Sequence, residues 1–329
     1  MQALSSPRSR SSRRRRRRPP LRALLAAAIC ALWALVIFRS PAVMPASAGP
    51  NVPSRPAASG SSSARGSAGP ASPSGLTPLP AADVHSGALV LVNADCPYVP
   101  PQSQTLVTVL DGKNDAYLVR DGSILLDEEA LDALNRLMAD FAAQGGERNV
   151  NVVAGFRTEE FQQHLFDQSA AANGLDHARR YVAQPGHSEH QTGYALDFSL
   201  YDVSSGASAD FTGAGEQQWI ADHAPDYGFV LRYGADKEAV TGIAAESWHY
   251  RYVGVPHAHI MTDRGLCLEE YWDLLRVHPY NGEHLRTTVG GTAYEIWYCP
   301  TEALYVLEAG DYALSGDNVG GFAVTAPAP

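Results

Sequence analysis

Cysteine is scarce in this chain, 4 in 329 residues. Disulfides therefore cannot stand in for a hydrophobic core, and a small stapled scaffold is excluded. A basic surplus is missing too. Lysine and arginine number 25 against 35 acids, a formal charge of −10, which argues against a nucleic-acid binder. No internal repeat is present. No uncharged apolar run reaches the roughly 20 residues of an ordinary spanning helix; the longest candidate, Ala23 to Phe38, has 16. What remains is a chain with 45% apolar residues, enough for one or two ordinary domains.

The charge is unevenly placed. Residues 1–39 hold ten arginines and no acid, which leaves 15 of the 25 basic residues to face all 35 acids, about −20 over residues 40–329. An arginine block directly before an apolar run is a membrane address. Ala23 to Phe38 reaches spanning length if Leu21 joins it and Arg22 and Arg39 snorkel. The positive-inside rule then keeps residues 1–22 in the cytoplasm and sends the rest outside. The expectation is a single-pass signal anchor over 23–39, with the protein secreted instead if Ala46-Ser47-Ala48 is cleaved as a signal-peptide site. From Ser40 to Pro80, 32 of 41 residues are Pro, Ser, Ala or Gly, with no aromatic and no acid. Such a segment buries too little apolar surface to offset its ordering entropy, so 40–84 is expected to be a disordered linker.

Residues 85–329 have the patterning of folded structure. Ala88 to Val92, Leu106 to Leu110, Ala116 to Val119, Val150 to Ala154, Tyr194 to Leu200 and Trp248 to Val253 look like strands. Asp127 can cap a helix ending at Gln144 before Gly145-Gly146, and Thr158 a second one stopped by Asn173-Gly174. Glu216 to His223 is a shorter helix, and Leu268, Tyr271, Trp272 and Leu275 share a face of the last. Beyond His284 come short β-like runs: Leu285 to Val289, Tyr294 to Tyr298, Leu304 to Leu307 and Phe322 to Thr325. Helices and strands without a βαβ rhythm predict an α+β fold with a mostly antiparallel sheet. It divides into a main domain over 85–280 and a C-terminal β appendage over 281–329, with a structural role favoured for the appendage over shaping a substrate groove or binding glycan.

Two segments concentrate the chemistry: Ser188-Glu189-His190-Gln191-Thr192-Gly193-Tyr194-Ala195-Leu196-Asp197 and Glu246-Ser247-Trp248-His249. Two imidazoles and a carboxylate suit zinc, and three protein ligands plus a water is a catalytic arrangement. Glu246 is available as a carboxylate that takes a proton without binding the metal. Three residues along a flat strand put Glu246 and His249 on opposite faces, so the pair requires a bulge or turn near Ser247. Spacing alone leaves His187, His257 and His259 as rival ligands, with His187-x-x-His190 suiting a helix and His257-x-His259 one face of a strand. Of the three cysteines beyond the apolar run, Cys96, Cys267 and Cys299, none has zinc-ligand spacing; one disulfide or none would fit.

Ser-x-His-x-x-Gly-x-Ala-x-Asp at 188–197, then Glu-x-x-His at 246–249 with Trp before the His, resembles the VanY-type zinc D,D-carboxypeptidases of peptidase family M15B. Gly155-Phe156-Arg157-Thr158 with Gln162, Leu91-Val92-Asn93, and Gly265 to Tyr271 resemble further family segments in the same order, so the resemblance spans about residues 88–278. It implies a hedgehog/D,D-peptidase-like fold, one Zn2+ held by His190, Asp197 and His249, and Glu246 as general base. It also implies that Arg157, Gln162 and Ser188 hold the terminal carboxylate of a peptidoglycan stem peptide ending in D-Ala. An L,D-carboxypeptidase acting on tetrapeptide stems would use the same parts. The other classes weighed are a wall-binding module without turnover, an inert zinc domain of the hedgehog sort, and a serine hydrolase using Ser188. No protein partner is implied.

Overall fold

The computed structural model describes residues 75–328. The expectations for the arginine-rich tail, the anchor and the linker as far as residue 74 lie outside them. Among the described residues, no helix is long and apolar enough to cross a membrane.

In chain order the strands are β1 (Leu76–Pro78), β2 (Leu106–Thr108), β3 (Leu118–Val119), β4 (Leu125–Asp127), β5 (Val150–Ala154), β6 (Ala195–Asp202), β7 (Ala207–Asp210), β8 (Phe229–Tyr233), β9 (Glu246–Tyr252), β10 (Leu285–Val289), β11 (Thr292–Pro300), β12 (Tyr305–Leu307), β13 (Ala313–Gly316) and β14 (Gly321–Pro327). The main helices are α1 (Glu128–Ala143), α2 (Glu159–Asn173), α3 (Leu175–Tyr181), α4 (Gln218–His223), α5 (Val255–Arg264) and α6 (Leu268–Arg276). The central sheet runs β3-β5-β6-β9-β8, with β7 also paired to β6. Its β3–β5 pairing is parallel and the others are antiparallel, as expected of an α+β domain.

Helix α1 forms where the sequence places its signals. The Asp127 carboxylate accepts the Glu129 N–H at 3.1 Å, Glu128 and Glu129 complement the helix dipole, and Gly145 at φ 91° takes the chain out. Leu131, Leu134, Leu137, Met138 and Phe141 recur at helical spacing and are buried against the central sheet with Val150, Val152, Leu196 and Phe198. Helix α2 starts in the same way, the Thr158 hydroxyl accepting the Phe161 N–H at 3.2 Å, and stops at Gly174, φ 90°.

A second core joins α5 and α6 to Leu89 and Leu91. Burying Leu268 and Leu275 there stabilises the fold by about 1.5–3 kcal/mol each. The third core lies in the C-terminal sheet, β10-β11-β14-β13, around Trp297, Phe322 and Val324. The N-terminal stretch from β1 to Leu89 is stitched into this region. Strand β1, inside the stretch expected to be linker, pairs with β12, and Leu89 N–H donates to Ser315 Oγ at 2.9 Å.

Several expected strands differ. Ala88 to Val92, buried from Leu89 onward, forms no strand, because side chains take its carbonyls. Arg251 donates to Ala88 O and Val90 O at 2.8 Å, Trp272 Nε1 to Leu89 O at 2.9 Å, and Asn318 to Leu91 O at 3.0 Å. The Leu106 to Leu110 run turns helical at Val109, and only Leu118–Val119 of the Ala116 to Val119 run pairs. His257-x-His259 sits on helix α5, not a strand. Hydrophobic patterning does not mark strands β1, β4, β7, β8 and β13 or helices α3 and α5. Cys96, Cys267 and Cys299 are all free thiols.

Candidate active site

Strands β5, β6 and β9 lie side by side, and Asp197 is in register with Ala154 on one neighbour and His249 on the other. Directly opposed residues share a face of the sheet, so β6 and β9 bring Asp197 and His249 together. His190 arrives from the 3-10 turn Glu189–Thr192 that precedes β6. Gly193 closes that turn at φ 73°, and a Cβ there would stand 2.6 Å from Leu106 Cδ2, so only glycine fits.

His190 Nδ1 lies 2.7 Å from the Gly155 carbonyl. That acceptor keeps the proton on Nδ1 and leaves the Nε2 lone pair facing inward, 3.3 Å from Asp197 Oδ2. His249 Nδ1 is 3.0 Å from Asp197 Oδ1. All three residues are buried, and one potential ligand atom from each falls within 4.8 Å of the others. Glu246 Oε2 is 3.8 Å from His249 Nδ1. The irregularity required near Ser247 is present: Tyr250 pairs with Leu231 but Glu246 with Tyr233, so β9 runs over four positions where β8 runs over two. Trp248 points the other way and packs on the α1 core.

Arg157, just beyond β5, is buried, and its NH2 donates to Asp197 Oδ2 at 2.6 Å. Gln162 on α2 is buried, donates Nε2 to Ala183 O at 2.8 Å, and keeps Oε1 buried without a hydrogen-bond partner. Ser188 is the buried residue that opens the 3-10 turn, its N–H 3.3 Å from Gln191 Oε1. The rival histidines are engaged elsewhere: His187 with Asn93 O at 2.7 Å, His257 with Tyr271 Oη at 2.7 Å and Thr325 Oγ1 at 3.0 Å, His259 with Asp226 at 3.0 Å.

Against known proteins, the family description VanY, D-alanyl-D-alanine carboxypeptidase, matches residues 123–255. A D-alanyl-D-alanine carboxypeptidase of Enterococcus faecium is 32% identical over 248 residues, covering 74% of this chain and 76% of that protein. The chain belongs to the VanY family. The bifunctional D-Ala-D-Ala dipeptidase and carboxypeptidase VanXYC of Enterococcus gallinarum is 38% identical over 157 residues, 47% of this chain and 81% of that one. The crystal structure of the vancomycin-resistance D,D-dipeptidase VanXYg, solved with a D-Ala-D-Ala phosphinate analogue, aligns with TM-score 0.66 and 33% identity over 77% of this chain and 98% of that one. This VanY-family chain is therefore a peptidase of the D-alanyl-D-alanine carboxypeptidase and dipeptidase class, and the expected fold is borne out.

Electrostatics in this VanY-family site follow from burial and close charge. Burial and the Arg157 guanidinium hold His190 down at about 4, so it is a neutral imidazole. Burial opposes charge on His249 as well, but Asp197, Glu189 and Glu246 together outweigh it and lift the group to about 9. Desolvation opposes charge on Asp197, but the Arg157 guanidinium and the His249 side chain outweigh it and hold the carboxylate well below the usual range. Burial pushes Glu246 up to about 8, with Asp197 and Glu189 adding to the rise.

Three residues escaped the sequence reading. Glu189 lies against His249, its Oε2 3.5 Å from Nε2. Arg232 fixes Glu189 from behind, Nε to Oε1 at 2.7 Å. Tyr233 walls the site, its ring centroid 4.8 Å from that of His249. Nothing local marks Glu189, because its partners come from β8 and β9. Tyr233 sits on β8, a strand that patterning did not find.

Proposed function

We propose that the protein is a zinc-dependent D,D-carboxypeptidase that removes the C-terminal D-Ala from peptidoglycan stem peptides. The observation that carries this reading is the buried cluster of His190, Asp197 and His249 with Glu246 beside it. The donor set fits zinc: two imidazoles and one carboxylate, with the remaining position left for water. The His190 tautomer, set by Gly155 O, leaves Nε2 as the coordinating atom. In His249, Nδ1 faces Asp197, so Nδ1 is the coordinating atom there.

Zinc bound there supplies a Lewis acid for the scissile carbonyl and acidifies the attacking water. The chain's own residues do the rest. Glu246, beside His249 but outside the ligand set, accepts the proton of the water and returns it to the departing D-Ala amine. Arg157 brings a buried planar guanidinium to the edge of the cluster. A terminal carboxylate matches that fork with two parallel charge-assisted bonds, which restricts the site to the end of a peptide. Gln162, whose amide has a second N–H beyond the one given to Ala183 O, and Ser188 add polar contacts to the same carboxylate. Peptidoglycan lies outside the membrane, so this substrate also requires the export that residues 1–39 are expected to provide.

Incubating the protein with defined pentapeptide, tetrapeptide and D-Ala-D-Ala substrates, with and without chelator, and identifying products by mass spectrometry tests the reading. Zinc-dependent loss of one D-Ala from the pentapeptide is expected. Turnover confined to the tetrapeptide makes the enzyme an L,D-carboxypeptidase, and turnover confined to the dipeptide makes it a dipeptidase like the VanXY relatives. No turnover of any peptide contradicts the enzymatic reading.

A further inference from the structure

Beneath the proposed metal ligands lies a buried network of four charges that the reaction itself does not use. Glu189 Oε1 accepts Arg232 Nε at 2.7 Å and makes an ion-pair contact with Arg251 NH1 at 3.0 Å. Side-chain exposure is 0% for Glu189 and Arg251 and 1% for Arg232. Each arginine is held on its far side. Arg232 grips Glu269 through NH1 and NH2 at 2.9 and 2.7 Å, and Asn93 donates to the same carboxylate at 3.1 Å. Arg251 is fixed by the carbonyls of Ala88 and Val90 at 2.8 Å and of Tyr252 at 3.1 Å. Two cations and two carboxylates leave the network formally neutral.

Such a network is a poor way to gain stability. Desolvating several charges costs much of what their attraction returns, and packed apolar residues of the same volume often do better. Its geometric product is one oriented atom. With Oε1 taken by both arginines, Glu189 Oε2 is directed at His249 Nε2, 3.5 Å away. Both atoms are fully buried, and neither has a hydrogen-bond partner of its own. An imidazole whose Nε2–H faces a fixed carboxylate has its ring orientation and tautomer set, and its other nitrogen becomes a stronger donor.

The geometry points to Glu189 as the positioning residue for His249: clamped by Arg232 and Arg251, it accepts Nε2–H and turns Nδ1 toward the metal. It does not touch substrate or water; it acts through His249. His190 receives the same service from a backbone carbonyl, that of Gly155. The two ligands are thus locked by different devices, and the one on the last strand to join the site depends on a side chain. This inference rests on the metal-centre reading of the preceding subsection.

The decisive experiment uses the wild-type protein and two variants. In wild-type protein loaded with cadmium-113 and labelled with nitrogen-15 histidine, coupling to the metal is expected at Nδ1 of His249 and Nε2 of His190, with His249 Nε2 protonated. Glu189→Asp keeps the negative charge opposite the arginines but withdraws the carboxylate by one methylene. Glu189→Gln keeps the shape and removes the charge. Both are expected to lose zinc affinity by ~10–100-fold in chelator competition and to shift the visible spectrum of the cobalt-substituted protein. Should Glu189→Gln not fold, Glu189→Asp and the wild-type spectrum decide the matter. Cadmium coupling through His249 Nε2, or a Glu189→Asp protein with wild-type zinc affinity and cobalt spectrum, overturns the positioning role while leaving the metal centre intact. Wild-type protein that binds no metal overturns the metal-centre reading and this inference with it.

Discussion

His257 offers a prediction whose size follows from the structure. It sits on α5, 7% exposed, with its ring nitrogens 2.7 Å from Tyr271 Oη and 3.0 Å from Thr325 Oγ1. Burial depresses its pKa from 6.5 to about 3, so the folded protein holds it neutral. Between those values the unfolded chain binds a proton that the folded chain refuses. The stability this provides is whole above the unfolded pKa and is lost as pH falls below 6.5, by about 1.4 kcal/mol per pH unit. Between pH 7 and pH 5 the loss amounts to roughly 2 kcal/mol, or about 4–8 °C in melting temperature for a domain of this size. Urea unfolding at both pH values, with excess chelator so that metal release cancels, measures it against a His257→Gln variant. The variant should be less stable at pH 7 but should lose about 2 kcal/mol less on acidification. Equal losses in the two proteins would refute the claim that a buried neutral imidazole ties α5 to the C-terminal sheet.

Three more substitutions probe the site. Glu246→Ala should keep stoichiometric zinc and lower kcat by roughly 100-fold or more; near-normal turnover in a metal-loaded variant would remove the general base. Arg157→Lys keeps the charge but not the fork, so kcat/KM for a peptide with a free C-terminus should fall by roughly 10–150-fold, the equivalent of about 1.5–3 kcal/mol. Its activity on C-terminally amidated peptides, already low, should not change, and an equal loss on both would end the carboxylate role. Gly155→Ala would drive a Cβ into the Leu125 carbonyl and to 3.1 Å from Ile124 Cγ2, displacing the carbonyl that holds His190 Nδ1. Zinc affinity measured by chelator competition should weaken; unchanged affinity would show that this carbonyl does not fix the ligand.

Legibility in the sequence tracked how local each determinant is. Helices α1 and α2 were readable to within a residue or two because Asp127, Thr158 and Gly174 act within one turn of their helices. Ala88 to Val92 misled because apolar patterning reports burial, and here the burial comes with backbone carbonyls answered by Arg251, Trp272 and Asn318 rather than by a strand. Helix α5 was missed because VPHAHIMTDR mixes polar and apolar residues, and its histidines are buried or paired through tertiary contacts. In the site, His190 and Asp197 are joined by a turn and the first residues of one strand, so their spacing carried information. His249 reaches Asp197 only through the β6–β9 register, which no spacing rule encodes; the resemblance to a known family supplied that link. Glu189 stayed invisible beside His190 because its meaning depends on arginines far along the chain.

The central claim is that one zinc ion in the cage of His190, Asp197 and His249 drives release of a terminal D-Ala. Titrating zinc into metal-stripped protein while measuring free D-Ala from a stem pentapeptide tests it most directly. Activity should be absent without metal, rise linearly and level off at one equivalent per chain, with Asp197→Ala and His249→Ala flat throughout. Full activity in the stripped protein, or a titration untouched by loss of those ligands, would contradict the account.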